Sequence, residues 1–272
     1  MSNPLFLVLG VALLSMALRS FAHPLLHKLG SICVLVTSYL VGYFLTGFWQ
    51  VGLLCASTWL LLPWFEILTR VRQLRLPADK TLRRRMPPSR EVFPALHDLT
   101  ASLEELGFEQ VDDVGLEWEE SQQFFRLFYK EDERLQAAVC MIDQGDFGFY
   151  YLSFASRGGD GKIWTSWNYP FSHSMKLPPE ARLNRVRGDL SVPEMMESHR
   201  AFLANARVET KHLVALLPEE IQREIQRDLE AQIAHNLRVG LLLPAADGKV
   251  RYSWRGLLFL WVQFLRDFVR FS

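Results

Sequence analysis

The chain has 272 residues, of which 49% are hydrophobic and 12% aromatic, and its 30 basic residues balance its 30 acidic residues. This composition excludes a disordered chain, a collagen-like repeat and a protein that is polycationic along its whole length. The apolar residues are concentrated in the amino-terminal third, so a single soluble globule is not the expected architecture.

The first apolar stretch covers residues 4–20. No Lys or Arg precedes it, whereas a secretory signal peptide normally begins with a positive segment. We therefore expect this stretch to be retained as a short membrane span. Cleavage after the small residues around Ala22 is the alternative.

A second uncharged stretch runs for 37 residues, from Leu29 to Phe65. A helix rises about 1.5 Å per residue and the hydrocarbon core is about 30 Å thick, so this stretch is too long for one span and fits two short ones. Gly47 and Gln50 flank two aromatic residues of the type enriched at the membrane–water boundary. The sequence predicts a helical hairpin with spans at 29–47 and 51–68.

Positive charge follows the spans. Residues 70–90 contain eight basic residues against Asp79 alone, a net charge of plus seven. Arg19 and Lys28 lie before the second span, and the turn at 48–50 is uncharged. Because positive loops stay in the cytoplasm, residues 1–69 are predicted to be a three-span anchor in a bacterial inner membrane, with its amino end outside.

Residues 70–90 are interpreted as a basic linker between the anchor and a cytoplasmic domain, because the segment contains three prolines. We expect Arg83, Arg84 and Arg85 to contact the membrane surface through anionic lipid. A solvated linker whose charges serve topology alone is the alternative.

Residues 91–255 are predicted to form a cytoplasmic α+β domain. Residues 91–247 contain 15 basic and 27 acidic side chains, which is not the charge balance of a nucleic-acid-binding surface. Apolar spacing predicts a helix over 89–107, and further helices open at a Ser191–Glu194 capping box and at Pro218. Between them, about five strands are expected to form an antiparallel sheet, at Val114–Trp118, Phe124–Tyr129, Leu135–Ile142, Phe147–Ser156 and Lys162–Trp167.

An aromatic segment follows the last of these strands. Trp164 and Trp167 are three residues apart, so alternation places them on opposite faces of the sheet. The candidate ligand or partner contacts are Trp164, Trp167, Tyr169 and Phe171, although one of the two tryptophans is expected in the core.

The last 17 residues, 256–272, have the pattern of an amphipathic helix with a wide apolar face. We predict that it lies in the membrane interface, with Arg255, Arg266 and Arg270 toward the headgroups; packing against the spans is the alternative. The preceding helix and hairpin have the outline of a winged helix. However, the helix is rich in Glu, so a nucleic-acid partner is not expected.

Motifs for phosphate, dinucleotide, zinc-protease or serine-hydrolase chemistry do not occur in the sequence. Its three cysteines fit buried thiols and no disulfide framework, and we assign no catalytic residue, metal site or cofactor. We therefore expect an accessory, scaffolding or sensing subunit that binds a protein partner, or further copies of itself, at the membrane surface. The alternative is an enzyme acting on a lipid or lipid-linked substrate through a carboxylate such as Asp143, Asp146 or Asp160.

Overall fold

The computed structural model describes residues 4–21, 23–118, 121–143, 148–186 and 190–271. Over these ranges the chain is a mixed α+β structure, in which three apolar helices are followed by a seven-stranded sheet and a three-stranded sheet with packed helices. The α+β class predicted from the sequence is therefore correct.

The apolar helices are α1 (Pro4–Arg19), α2 (Pro24–Thr46) and α3 (Trp49–Glu66), and a π-helical turn (Ile67–Val71) extends α3. The predicted hairpin is present. Gly47 ends α2 with a φ of 75°, a left-handed conformation that glycine adopts without a steric penalty.

Two of the helices are long and apolar enough to cross a membrane, over Leu25–Thr46 and Trp49–Val71. In the most apolar 18-residue stretch of each helix, only 17% and 11% of the residues are buried, respectively. The core helix of a soluble protein would be mostly buried. These two helices suggest membrane association. Helix α1 has 16 residues, about 24 Å, and is shorter than the hydrocarbon core.

Small residues allow the apolar helices to approach closely. The Ser15 hydroxyl donates a 2.8 Å hydrogen bond to the Gly30 carbonyl, which joins α1 to α2. Gly52 of α3 packs against Tyr39 of α2, where an added Cβ would lie only 2.8 Å from the ring. Contacts through small residues and buried hydroxyls are typical of helix packing in lipid.

The segment predicted as a linker contains two short strands, β1 (Leu76–Pro77) and β2 (Arg83–Arg84). Strand β1 joins the three-stranded sheet and β2 forms an edge of the seven-stranded sheet. The segment is therefore ordered by both sheets.

The seven-stranded sheet consists of β2 and six longer strands, β3 (Glu109–Trp118), β4 (Ser121–Lys130), β5 (Leu135–Asp143), β6 (Gly148–Arg157), β7 (Ile163–Trp167) and β8 (Ala181–Arg185). The strands lie in the order β2-β3-β4-β5-β6-β7-β8, and all neighbours are antiparallel except β7 and β8. The prediction of about five strands was too low. The two added strands, β2 and β8, are short and mainly polar edge strands.

The two ends of this sheet are distinguished by the direction of its strands. We call the end at which β3, β5, β7 and β8 finish the near end, and the opposite end the far end. The predicted turn at 144–146 and residue 147, the first of the predicted fourth strand, lie outside the described residues.

Helices cover both faces of the sheet. Helices α4 (Leu96–Glu105) and α5 (Val192–Asn205) pack on one face around Phe128, Val139 and Phe154. Helix α6 (Pro218–Arg238) packs on the other through Ile221. The helix predicted over 89–107 begins only at residue 96, because Pro94 disfavours a helical conformation in the preceding residue.

The carboxyl-terminal segment consists of a hairpin and a long helix. Strands β9 (Leu242–Pro244) and β10 (Lys249–Tyr252) form the predicted hairpin, and β1 pairs with β10 as a third strand. Helix α7 (Trp254–Phe271) follows and contacts α2, α3 and the π-helical turn.

Candidate functional site

Aromatic side chains from β6, β7 and the following loop meet on the α6 face at the near end. We define the aromatic cluster as Phe149, Tyr151, Trp167, Tyr169 and Phe171. Ring centroids lie 5.4 Å apart for Trp167 and Tyr169, 5.1 Å for Tyr151 and Tyr169, and 5.3 Å for Phe149 and Phe171. Three of the four aromatic residues predicted as contacts thus lie in one cluster.

Trp164, the fourth, lies on the opposite face, as strand alternation predicted. Its side chain is buried and packs against Gly158, where an added Cβ would lie 2.7 Å from the indole ring. It is a packing residue of the α4–α5 face, remote from the aromatic cluster.

The aromatic cluster is half-buried and electrically neutral. Burial raises the pKa of the Tyr169 hydroxyl, against the lowering effect of the nearby Arg185 guanidinium. Burial also raises the pKa of Tyr151 and brings that of the neighbouring Cys140 thiol to about 12. The Trp167 indole N–H is buried and has no hydrogen-bond partner among the described residues. The exposed parts of the cluster are therefore uncharged aromatic side chains.

The loop that follows β7, residues 168–173, is fixed at both sides. The Arg185 guanidinium, at the end of β8, donates to the carbonyls of Tyr169 at 2.9 Å, Pro170 at 2.5 Å and Phe171. On the other side, the Asp267 carboxylate of α7 accepts hydrogen bonds from the Ser172 backbone N–H at 2.8 Å and from its hydroxyl at 2.6 Å. The aromatic loop therefore joins the near end of the sheet to α7.

The other side of α7 packs on the apolar helices. The Trp261 indole N–H donates to the Leu60 carbonyl at 3.0 Å, and the rings of Phe268 and Trp59 are 5.5 Å apart. At the start of α7, the Arg72 guanidinium lies 4.8 Å above the Trp254 ring. Helix α7 thus lies between the sheet and the apolar helices rather than on a free surface.

A hydrophobic core joins these parts, and we call it the junction cluster. It draws one residue or more from the π-helical turn, β1, the chain after the aromatic loop, α6, the β9–β10 hairpin and α7. Its members are Ile67, Leu76, Met175, Ile233, Leu242, Val250, Tyr252, Leu257 and Leu260. Because six separate segments share this core, the sheet domain is fixed to the apolar helices and does not hang from a flexible linker.

The arginines predicted at the membrane surface occupy two places. Arg83, Arg84 and Arg85 line a groove of about 510 Å³ at the edge of the seven-stranded sheet. Arg84 pairs with Asp112 at 3.0 Å, and Arg85 donates to Gln122 at 2.6 Å.

The remaining predicted arginines lie on α7. Arg255 and Arg266 are exposed, and Arg266 lies 3.5 Å from the Gln263 side-chain oxygen. The side chain of Arg270 is outside the described residues.

The carboxylates considered for lipid chemistry do not converge. Asp143 lines a groove at the near end, while Asp160 lies at the far end and pairs with Lys162 at 2.5 Å. Asp146 lies outside the described residues. In the described part of the chain, no group of three His, Cys, Asp or Glu side chains is placed to hold a metal ion.

The sequence did not identify the residues that fix the loop. Asp267 stands out in the sequence because it is the one acidic residue among the last 17, whereas nothing in the sequence distinguishes Arg185.

His199 is fully buried, with its ring nitrogens 3.1 Å from the Ser156 hydroxyl and 2.9 Å from that of Ser166. Burial lowers the pKa of His199 to about 4, so the ring is neutral and joins α5 to the sheet.

The comparisons with known proteins give no identification. No family model matches the chain, and neither the curated proteins nor the solved structures include a significant match.

Proposed function

We propose that the protein is a membrane-anchored scaffolding or accessory subunit, which holds its sheet domain in a fixed position at the membrane surface for a protein partner or further copies of the chain. The observation that supports this proposal is the double packing of α7. One side of the helix contacts α2 and α3, and the other contacts the aromatic loop and the junction cluster. A domain held in this way has a defined orientation relative to the apolar helices, as a scaffold requires.

The proposed topology has three spans in a bacterial inner membrane, with α1 as a short span beside α2. The hairpin turn at 47–48 lies at one end of the bundle, and the exit of α3 lies at the other with Arg19 and Lys28. The basic residues Arg70, Arg72 and Arg75 follow at that same end. The positive-inside rule then favours a cytoplasmic sheet domain.

The aromatic cluster supports contact with a partner. Aromatic side chains with a buried body and a polar group are enriched at protein interfaces, because they bury a large area at low entropic cost. Here Tyr169 and Trp167 are half-buried on a surface held by Arg185 and Asp267. Pre-organisation of this kind lowers the entropic cost of binding.

The test is purification of the full chain from native membranes in mild detergent after crosslinking in the intact cell. The proposal predicts a complex of constant stoichiometry in repeated preparations, which native mass spectrometry measures. A Tyr169→Ala variant should lose the associated subunit, while the exposed far-end variant Leu217→Ala should retain it. A monodisperse monomer of 31.5 kDa in every preparation would contradict the proposal.

A further inference from the structure

A second exposed apolar surface lies at the near end, on the α4–α5 face. Met86, Val92 and Tyr150 are 87%, 56% and 51% exposed. Met86 and Val92 line one groove of about 250 Å³ with Met141, which pairs with Tyr150 across β5 and β6. The three exposed side chains therefore belong to one continuous patch, and its exposure needs an explanation.

The patch lies at the end of the sheet to which the apolar helices are attached. The same groove contains Asp143, the last residue of β5, and Gln122, the second residue of β4, which are near-end positions. Ser172, five residues beyond the end of β7 at this end, is bonded to α7. The patch is therefore directed toward the side of the molecule on which a membrane would hold α2 and α3.

Basic side chains frame the patch. Residues 83–92, which we call the rim segment, contain four arginines and one glutamate. Arg83 and Arg90 are exposed and form no ion pair with any residue that the structure describes. Exposed Met and Val side chains beside unpaired arginines fit a bilayer surface, where apolar groups enter the acyl boundary and cations meet anionic headgroups.

We propose that the rim segment and Tyr150 form a second membrane contact, in which they bind the surface of an anionic phospholipid bilayer. Met86, Val92 and the Tyr150 ring enter the headgroup region, and Arg83 and Arg90 bind the phosphates. With α7 on the other face, this contact supports the near end of the sheet from both sides. The inference rests on the membrane anchoring in the proposed function and does not depend on a protein partner.

The experiment uses the purified full chain, reconstituted in vesicles of phosphatidylcholine alone or of equal parts phosphatidylcholine and phosphatidylglycerol. A spin label is placed at Met86→Cys after Cys33, Cys55 and Cys140 are replaced by Ala. The matched control is a label at Leu217→Cys, an apolar far-end position that is 63% exposed. The accessibility of each label to oxygen and to a water-soluble nickel chelate is measured by electron paramagnetic resonance.

In the anionic vesicles, we expect the label at residue 86 to be several-fold less accessible to nickel and more accessible to oxygen than the label at residue 217. Arg83→Gln with Arg90→Gln should reduce this difference, and so should high salt, because screening weakens headgroup attraction. Equal nickel accessibility at residues 86 and 217 in both lipids would overturn the proposal. Failure of the chain to enter the vesicles would instead count against the proposed anchoring.

Discussion

The two hydrogen bonds that Ser172 donates to Asp267 give the sharpest test of the link between the sheet and α7. A hydrogen bond to a charged group contributes about 1.5–3 kcal/mol, and we take the lower value because both residues are half-buried. Ser172→Ala removes the hydroxyl bond and keeps the backbone bond, so it should weaken the link by about 1.5 kcal/mol. Asp267→Ala removes both bonds, which corresponds to about 3 kcal/mol.

Hydrogen exchange of the aromatic loop measures this loss directly. At about 1.4 kcal/mol per factor of ten, Ser172→Ala should raise the exchange rate of loop amides about tenfold, and Asp267→Ala about a hundredfold. Ser174→Ala is the control, because Ser174 is exposed and only its backbone carbonyl has an observed hydrogen bond. If Ser172→Ala and Asp267→Ala exchanged residues 168–173 at the wild-type rate, as the control should, the loop would not be held by α7.

Three further predictions concern stability, each measured by thermal unfolding in detergent. Leu257→Ala removes a fully buried member of the junction cluster and should cost about 2–5 kcal/mol, whereas the same change at the exposed Leu258 should be nearly neutral; equal effects would contradict the junction cluster. Gly52→Leu should separate α2 from α3 at a cost of about 1–3 kcal/mol, while Gly10→Leu, with open space around it, should be tolerated; similar melting of both would argue against this packing. The pKa of His199 is about 4 in the folded chain and about 6.5 in the unfolded chain. Its contribution to the free energy of unfolding is therefore complete above pH 6.5, and about 3 kcal/mol of stability is lost as the pH falls toward 4. His199→Gln should remove this part of the pH dependence, and an unchanged slope would exclude His199 as its source.

Local signals in the sequence predicted much of the fold. The hairpin break at Gly47, the Ser191–Glu194 capping box and the five long strands all depend on residues close together in the chain. Each has a direct physical cause, such as the positive φ at Gly47 or the 2.8 Å bond from the Ser191 N–H to the Glu194 carboxylate. Such features can be derived without knowledge of the tertiary structure.

The missed features depend on pairings between distant parts of the chain. Strand β1 has two residues and forms only because β10, more than 170 residues later, lies beside it. Strand β8 pairs in parallel with β7, and nothing in its polar sequence indicates that partner. For the same reason, the packing of α7 against the apolar helices could be stated only as an alternative to the membrane interface.

The candidate site was predicted in part. Trp167, Tyr169 and Phe171 lie together, and Trp164 is separated from them by the alternation that the sequence predicted. Their supports, Arg185 and Asp267, come from an edge strand and from the terminal helix, so no spacing in the sequence relates them to the loop. Whether the cluster contacts a partner stays a prediction.

The most direct test of the account is the side of the membrane on which two exposed residues lie. Cysteine is introduced at Phe48, between α2 and α3, or at Leu217, in the sheet domain, in a chain without its native cysteines, and sealed vesicles of known orientation are treated with an impermeant maleimide. The account predicts that residue 48 is labelled only from the outer side and residue 217 only from the cytoplasmic side. Labelling of both residues from the same side, or release of the chain from the membrane by alkaline carbonate, would contradict it.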